Sequence, residues 1–244
     1  MGKRILAMCL SILSLLSLGA CSFSRSDPYL QPPGINWGMK PEAFMEQMGI
    51  QEDNIAQCNE ATRTKAYVFT DVEIFGEQAA KLICNFYDTT YTEDYPDTEN
   101  DHWDYGLVEM RVYYSDNADK GKVLREMKKS FGETLPEIYY YTYGAISEDY
   151  SSLVEKMIEE SDTVKLWGGS KLSEAIPEQM SLEYRDLWKL YNPGLNDENW
   201  VQFQENERLV TAYWVDSDND EEYNVQIDAY NLAVYNEIKG YLED

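Results

Sequence analysis

The aspartates of the segment DSDNDEE have a spacing that could bind calcium. Asp216, Asp218 and Asp220 stand at positions one, three and five, where a calcium-binding loop carries oxygen ligands. The rest of that pattern is missing, since Glu221 stands where the sharp turn needs glycine and Ile227 stands where a bidentate glutamate belongs. We therefore interpret the segment as a charged hairpin turn, with weak calcium binding as the alternative and no other cofactor expected.

The sequence offers little for catalysis. His102 is the single histidine, and although Asp101 and Asp104 could orient its imidazole, such residues are also typical of a solvated loop. A zinc site would lack thiolate and imidazole ligands. With 45 Asp and Glu residues, neighbouring carboxylates arise by chance and do not by themselves indicate a glycosidase. Because glycine-rich phosphate loops and a G-x-S-x-G motif are also missing from the sequence, we expect a protein that is not an enzyme.

The N-terminus has the three parts of a signal peptide. Lys3 and Arg4 form a positive head, residues 5–18 are almost wholly apolar, and small residues precede Cys21. A membrane-spanning helix needs roughly 20 apolar residues, so this run is too short to be a stable anchor. We therefore expect residues 1–20 to be a leader that is removed.

The residues Leu18-Gly19-Ala20-Cys21 resemble the lipobox of bacterial lipoproteins. The resemblance implies cleavage before Cys21, attachment of lipid to its thiol and anchoring on the extracytoplasmic face of a cell membrane. Each buried CH₂ of an acyl chain contributes about 0.8 kcal/mol, so two or three chains hold a protein on a bilayer where one chain would be marginal. The bilayer is thus the first expected partner.

Two further cysteines, Cys58 and Cys84, belong to the expected mature chain. Outside the cytoplasm such a pair can form a disulfide. The alternative is a pair of buried thiols.

Charge limits the class of partner. The chain carries 20 Lys and Arg residues against 45 Asp and Glu residues, and its formal net charge is −25. Since phosphate binding requires clustered positive charge, nucleic acid is not expected as a partner.

Aromatic residues are the remaining signal for binding. The segments YTEDYPDTENDHWDYG and IYYYTYG combine tyrosine and tryptophan with acidic groups, a composition that protein interfaces favour. Trp103, Tyr105, Tyr139 and Tyr141 are the candidate interface residues. The alternative is that these tyrosines cover the core.

Hydrophobic periodicity predicts an α+β fold in which helices pack on one face of antiparallel meander sheets, with two such units in tandem as one arrangement. The expected helices cover residues 40–48, 117–131, 147–162 and 181–192, and the expected strands cover residues 67–74, 79–88, 106–115, 164–169, 209–215 and 223–227. We divide the chain into the leader (1–20), a Ser/Pro-rich tether (21–33), an α+β domain (34–133) and a second α+β region that ends in a β-hairpin (134–244).

The first α+β domain resembles two known families. The segment Ile35-x-Trp37-Gly38-Met39, a helix ending at Met48-Gly49, three strands and a lysine-rich helix ending at Phe131-Gly132 are similar to small lipoprotein domains of the SmpA/OmlA outer-membrane-assembly type and to the repeat unit of β-lactamase inhibitory protein. The resemblance covers residues 34–133. It implies a module that binds other proteins and has no active site.

These observations together predict a membrane-anchored extracytoplasmic lipoprotein. We expect it to act as a non-catalytic binding module for a protein or a cell-envelope component. The alternative is a ligand-binding or calcium-dependent accessory lipoprotein of a transport or glycan system.

Overall fold

The computed structural model describes residues 29–90, 104–135, 164–216 and 223–243. Within these ranges the strands are β1 Ile55–Ala61, β2 Thr64–Phe69, β3 Val72–Ile74, β4 Glu77–Ala79, β5 Lys81–Tyr87, β6 Gly106–Tyr113, β7 Val164–Gly168, β8 Thr211–Val215 and β9 Val225–Asp228. The helices are α1 Pro41–Met48, α2 Lys120–Phe131, α3 Leu172–Ala175, α4 Ser181–Tyr191, α5 Trp200–Asn206 and α6 Tyr230–Glu243.

The strands form one seven-stranded antiparallel sheet in the order β1-β2-β5-β6-β9-β8-β7, and β3 and β4 form a separate small hairpin. Each half of the chain therefore builds a meander, and the two meanders meet where β6 pairs with β9. The predicted α+β fold with antiparallel meanders is confirmed. The predicted boundary between residues 133 and 134 separates two segments of sequence, but both segments contribute strands to the same sheet.

Alternation along the strands gives the sheet two different faces. One face, here called the core face, carries Tyr67, Phe69, Leu82, Cys84, Phe86, Met110, Val112, Ala212, Trp214, Val225 and Ile227, all of them buried in one hydrophobic cluster. The opposite face, here called the polar face, carries Asn85, Glu109, Arg111, Gln226 and Asp228 at the centre of the sheet. Buried residues of all six helices belong to the same hydrophobic cluster as these strand residues.

Helix α1 confirms the predicted helix over residues 40–48. Pro41 occupies its first turn, and Gly49 ends it with φ of 66°, a left-handed conformation that glycine adopts without steric cost. Phe44 is fully buried, and its ring centroid lies 5.9 Å from those of Phe69 and Phe86. These contacts hold α1 on the core face.

Helix α2 confirms most of the predicted helix over residues 117–131. Asp119 caps its start by accepting a hydrogen bond from the Lys122 backbone N–H, and Val123, Met127 and Phe131 form a buried stripe. The Phe131 ring lies 6.1 Å from that of Trp167 on β7. Helix α2 thereby connects the first half of the chain with the far edge of the sheet.

Two predicted strands have different bounds in the structure. The strand expected over residues 67–74 is broken, because Asp71 adopts a positive φ of 58° and turns the chain out of β2. Val72 and Ile74 are both buried, but they belong to β3, which pairs with β4 around Gly76. The next predicted strand, over residues 79–88, begins only at β5. Alternation continues through Thr70 and Asp71, so the pattern alone does not reveal the turn.

Other elements lie in segments with weaker hydrophobic periodicity. Strand β1 was not predicted, because its side chains are almost all exposed and show no apolar alternation. Helices α5 and α6 were also not predicted. Helix α4, strand β7 and the hairpin β8–β9 confirm the predictions for those segments, whereas the helix expected over residues 147–162 lies outside the described residues.

The predicted tether over residues 21–33 is shorter in the structure at its C-terminal end. Leu30 is buried in the core-face cluster, and the Trp37 indole N–H donates to the Tyr29 carbonyl oxygen at 2.8 Å. The chain therefore packs against the body from Leu30 onwards.

The junction of β6 and β9 should control the stability of both halves. Ile227 is fully buried there and lies opposite Met110 on one side and Ala212 on the other. We expect Ile227→Ala to lower the free energy of unfolding by about 3 kcal/mol, because the change leaves a cavity in a packed core. Urea denaturation followed by circular dichroism measures this loss.

The matched control is Val201→Ala, which removes methyl groups from an exposed position on α5 and should change stability by less than about 0.5 kcal/mol. If one half of the sheet unfolded at a lower urea concentration than the other half, the two halves would not share a core.

Candidate functional site

A cavity of about 300 Å³ lies on the polar face of the sheet, beside β7, β8 and β9, with Leu166, Tyr213 and Asp228 in its lining. Its aromatic wall consists of Trp188, Tyr191, Phe203, Tyr213 and Tyr230. Its charged groups are Glu207, Arg208 and Asp228. Residues of α4, α5 and the start of α6 complete the lining, so elements that are distant along the second half of the chain converge here.

An aromatic cluster positions the helical wall. Helix α4 buries Tyr184, Trp188 and Tyr191 along one stripe. The Trp188 ring lies 5.7 Å from the Phe203 ring of α5, and the indole N–H of Trp200 donates to the Ser181 hydroxyl at 2.9 Å. These contacts fix α4 against α5 and place Trp188 and Phe203 beside the cavity.

The end of α5 places two of the charged groups. The Glu207 backbone N–H donates to the Phe203 carbonyl oxygen at 2.8 Å and closes the last turn, while Glu207 itself has an extended backbone. Arg208 then forms an isolated antiparallel bridge with Lys171 before β8 begins. The change from helix to strand at these residues puts the Glu207 and Arg208 side chains at the cavity.

Burial makes Glu207 an unusual carboxyl. Removal from solvent raises the pKa of Glu207 to about 7, although the hydrogen bond from the Asn231 side-chain amide, at 3.0 Å, acts in the opposite direction. The negative charge of Asp228 also raises the pKa of Glu207. The Glu207 carboxyl therefore changes its charge near neutral pH.

Asp228 ends β9 on the polar face, opposite Glu109 of β6. Burial raises the pKa of Asp228 to about 6, against a hydrogen bond that its carboxylate accepts from the Tyr230 backbone N–H at 2.8 Å. The neighbouring guanidinium of Arg111 pairs at 2.7 Å with Glu109 and not with Asp228. Gln226 also donates to Glu109, at 2.6 Å, so Glu109 is the centre of the polar network beside the cavity.

Arg208 is held against the backbone of β7. Its Nη1 donates to the Gly169 carbonyl oxygen at 2.6 Å, and its side chain crosses Gly168 so closely that a Cβ there would collide with Arg208 Cδ. Among the residues that the structure describes, no carboxylate oxygen lies within 4.0 Å of this guanidinium, and no Lys or Arg nitrogen lies within that distance of Glu207 or Asp228. The three charged groups thus line one cavity without forming ion pairs.

This arrangement suits the binding of a small organic molecule. Aromatic rings provide apolar contact area, the carboxyls accept or donate hydrogen bonds according to pH, and Arg208 supplies donors. Sequence reasoning missed these residues. Glu207 and Asp228 are two acids among 45, and they lie more than one element apart along the chain.

The candidate calcium ligands are only partly described. Asp216 is exposed and lies 3.1 Å from the Lys120 ammonium, whereas Asp218 and Asp220 lie outside the described residues. Among the described residues, His, Cys, Asp and Glu side chains form no group of three that could hold a metal ion. Calcium binding by the segment stays a prediction.

The disulfide considered between Cys58 and Cys84 is wrong. Both cysteines are free thiols, and both lie opposite Tyr67, whose strand β2 runs between theirs. Neighbouring strands are about 4.8 Å apart, so the two Cα atoms are roughly 10 Å apart, beyond the reach of a disulfide. The alternative of buried thiols holds for Cys84 and not for Cys58, which is exposed.

Of the candidate interface residues, the structure describes only Tyr105. Its hydroxyl donates to the Glu60 carboxylate at 3.0 Å, and its ring is partly buried against the core. Trp103, Tyr139 and Tyr141 lie outside the described residues, as does Cys21. Tyr105 therefore has a structural role, and an interface at these aromatics stays a prediction.

Comparison of the chain with protein-family models, with curated proteins and with solved structures finds no match. The resemblance to the lipobox, to SmpA/OmlA-type domains and to the β-lactamase inhibitory protein repeat stays a prediction. Within the described residues, no helix is both long enough and apolar enough to cross a bilayer.

The two thiols should differ in reactivity. In the native protein we expect a maleimide to label Cys58 and not Cys84, because Cys58 is exposed while burial shields Cys84 and raises the pKa of its thiol. Mass spectrometry of the labelled peptides measures this difference. In the folded Cys58→Ser variant, we expect no label at residue 58 or at Cys84. Labelling of both residues only after reduction would contradict free thiols.

Glu207 should make stability depend on pH. Its carboxyl binds a proton more tightly in the folded chain than in the unfolded chain, so the folded state loses stability as the pH rises from about 5 to 8. Glu207→Gln removes this charge, and we expect it to stabilise the protein at pH 8 by on the order of 2 kcal/mol and hardly at pH 5. Thermal unfolding at both pH values measures the difference.

The matched control is Glu205→Gln, which removes an exposed carboxyl two residues away. Parallel pH profiles for the wild type and Glu207→Gln would show that the Glu207 carboxyl titrates as an ordinary surface group.

Proposed function

We propose that this protein is a lipid-anchored binding module on the extracytoplasmic face of a cell membrane, without catalytic activity. The observation that carries the proposal is the cavity, where three charged groups that form no ion pair within the described residues face the same space as five aromatic side chains. Small-molecule sites are usually concave and combine apolar or aromatic walls with convergent polar groups.

The N-terminal residues support anchoring. Only residues 22–28 separate Cys21, the proposed lipid attachment site, from the described body, and Leu30 is already part of the core. Such a short segment spans no more than about 30 Å even when fully extended. The body and its cavity would therefore stay close to the membrane surface and to the components of the cell envelope.

The two cavity carboxyls have similar, raised pKa values. An acid–base pair needs environments that separate the two pKa values, so that one group stays protonated and the other ionised. Here the same cause, burial, raises the pKa of Glu207 to about 7 and that of Asp228 to about 6. The two carboxyls thus have no fixed division into acid and base.

The cavity also favours the second candidate function, an accessory lipoprotein of a transport or glycan system that binds a small ligand. In that case the protein would pass its ligand to a membrane partner. In the leading proposal it would hold an envelope component or a protein in place.

Cys21→Ser tests the anchoring directly. We expect the wild-type chain to fractionate with membranes and to incorporate labelled palmitate, and we expect the variant to do neither, because the acyl chains supply the membrane affinity. Cys58→Ser is the matched control and should remain in the membrane fraction.

An uncleaved wild-type chain that is free of lipid would contradict the proposal. A pull-down of the lipidated protein from its own membranes then shows whether a protein partner accompanies it in stoichiometric amount.

A further inference from the structure

Glu207 and Asp228 are two carboxyls in one cavity, and within the described part of the chain neither forms an ion pair, although the charge of Arg111 acts on Asp228 at longer range. Withdrawing a carboxylate from water is costly unless a cation or several hydrogen-bond donors compensate it. Each of these carboxyls receives one hydrogen bond, from Asn231 and from the Tyr230 backbone N–H respectively. The cavity is therefore short of positive charge.

We propose that the cavity binds a small molecule carrying a protonated amine, with the ammonium group held by the carboxylates of Glu207 and Asp228. The proposal rests on the proposed binding function and specifies its ligand class. An ammonium group supplies both missing features, since it carries the compensating charge and donates up to three hydrogen bonds.

The cavity favours a cation over an anion. Among the described residues of its lining, Arg208 is the only basic one, against two carboxyls, and its Nη1 is already bonded to the Gly169 carbonyl oxygen. The whole chain adds a negative field, since its net charge is −25. An anionic ligand would have to approach Arg208 past both carboxylates.

The aromatic wall strengthens this preference. Trp188, Phe203 and Tyr230 line the same cavity as the carboxyls, and the faces of aromatic rings attract cations. The rings also provide contact area for the carbon chain of an amine. A volume of about 300 Å³ is near the lower end for ligand pockets, so we expect a short carbon chain.

Three compounds of equal chain length distinguish recognition of an ammonium group, of a hydroxyl group and of a carboxylate. We would titrate the lipidated, detergent-solubilised protein with 1,4-diaminobutane, 1,4-butanediol and succinate in an isothermal calorimeter at pH 8. The diamine should bind at least ten times more tightly than the diol, and succinate should not bind. A preference for succinate would identify an Arg208-centred anion site, and equal binding of diol and diamine would identify hydroxyl recognition. Either result overturns the proposal, as does the failure of all three compounds to bind.

Matched double variants separate the cavity from general attraction to an acidic protein. Glu207→Gln combined with Asp228→Asn should weaken diamine binding at least thirtyfold, and both replacements keep a hydrogen-bond acceptor for Asn231 and Tyr230. The control combines Glu198→Gln with Glu205→Gln, which removes the same charge from two exposed residues outside the cavity lining and should change the affinity less than twofold. Equal losses in both variants would show diffuse attraction and overturn the proposal.

The wild-type protein gives a second readout that does not depend on how a variant folds. The charged groups at or beside the cavity are Glu207, Asp228, Arg208, Glu109 and Arg111. An amine on a short chain stays protonated between pH 6 and 8, whereas Glu207 must lose its proton to pair with it. We expect roughly tenfold weaker binding at pH 6 than at pH 8. An affinity that does not change over this range would contradict the contact with Glu207.

The result of the amine-binding experiment does not depend on whether the protein carries the proposed lipid anchor. A protein that fractionates with membranes through Cys21 and binds no amine would retain the proposed function and lose the ligand class. A protein that binds the diamine but carries no lipid would retain the cavity assignment and lose the anchor.

Discussion

Strands β6 and β9 pair antiparallel at the centre of the sheet and bring together the two halves of the chain. Met110 lies opposite Ile227 and Val112 opposite Val225 on the core face, while Glu109 lies opposite Asp228 on the polar face. Directly after this pairing, the Ala229 backbone N–H donates to the Val108 carbonyl oxygen at 2.7 Å, at the point where α6 begins. The rest of the fold depends on this junction, because a side chain on either strand has packing partners from both halves.

The same junction places the polar groups. Side chains alternate between faces along a strand, so a register that buries Val225 and Ile227 necessarily puts Gln226 and Asp228 on the opposite face. There Glu109 collects donors from Asn85, Arg111 and Gln226, and Asp228 is left at the edge of this network. The cavity opens beside that position. Its charge is therefore a consequence of the register that the core imposes.

The carboxylates on the surface and the carboxyls in the cavity affect stability differently. Most carboxylates of the described chain are exposed, and several pair with nearby Lys or Arg side chains, as Asp197 does with Lys189 at 2.5 Å. Such pairs contribute little to stability because water and salt screen them. Glu207 and Asp228 form no such pair with any described residue, and burial makes their ionised forms costly. Binding of a cation by these two carboxyls would recover part of that cost.

The sequence by itself determined the elements whose periodicity is local. The buried stripe of α2, the proline and glycine that bound α1, and the alternation in β6, β8 and β9 were all readable, and with them the α+β class. Strand β1 was not, because its exposed side chains leave no hydrophobic period, and the end of β2 was not, because alternation continues through the turn at Asp71. Only the tertiary structure decided that Cys58 and Cys84 are separated by β2, and that Glu207, Arg208 and Asp228 share a cavity. The physical reason is that local spacing records which face of an element is apolar, whereas sites depend on strand order and register across distant segments.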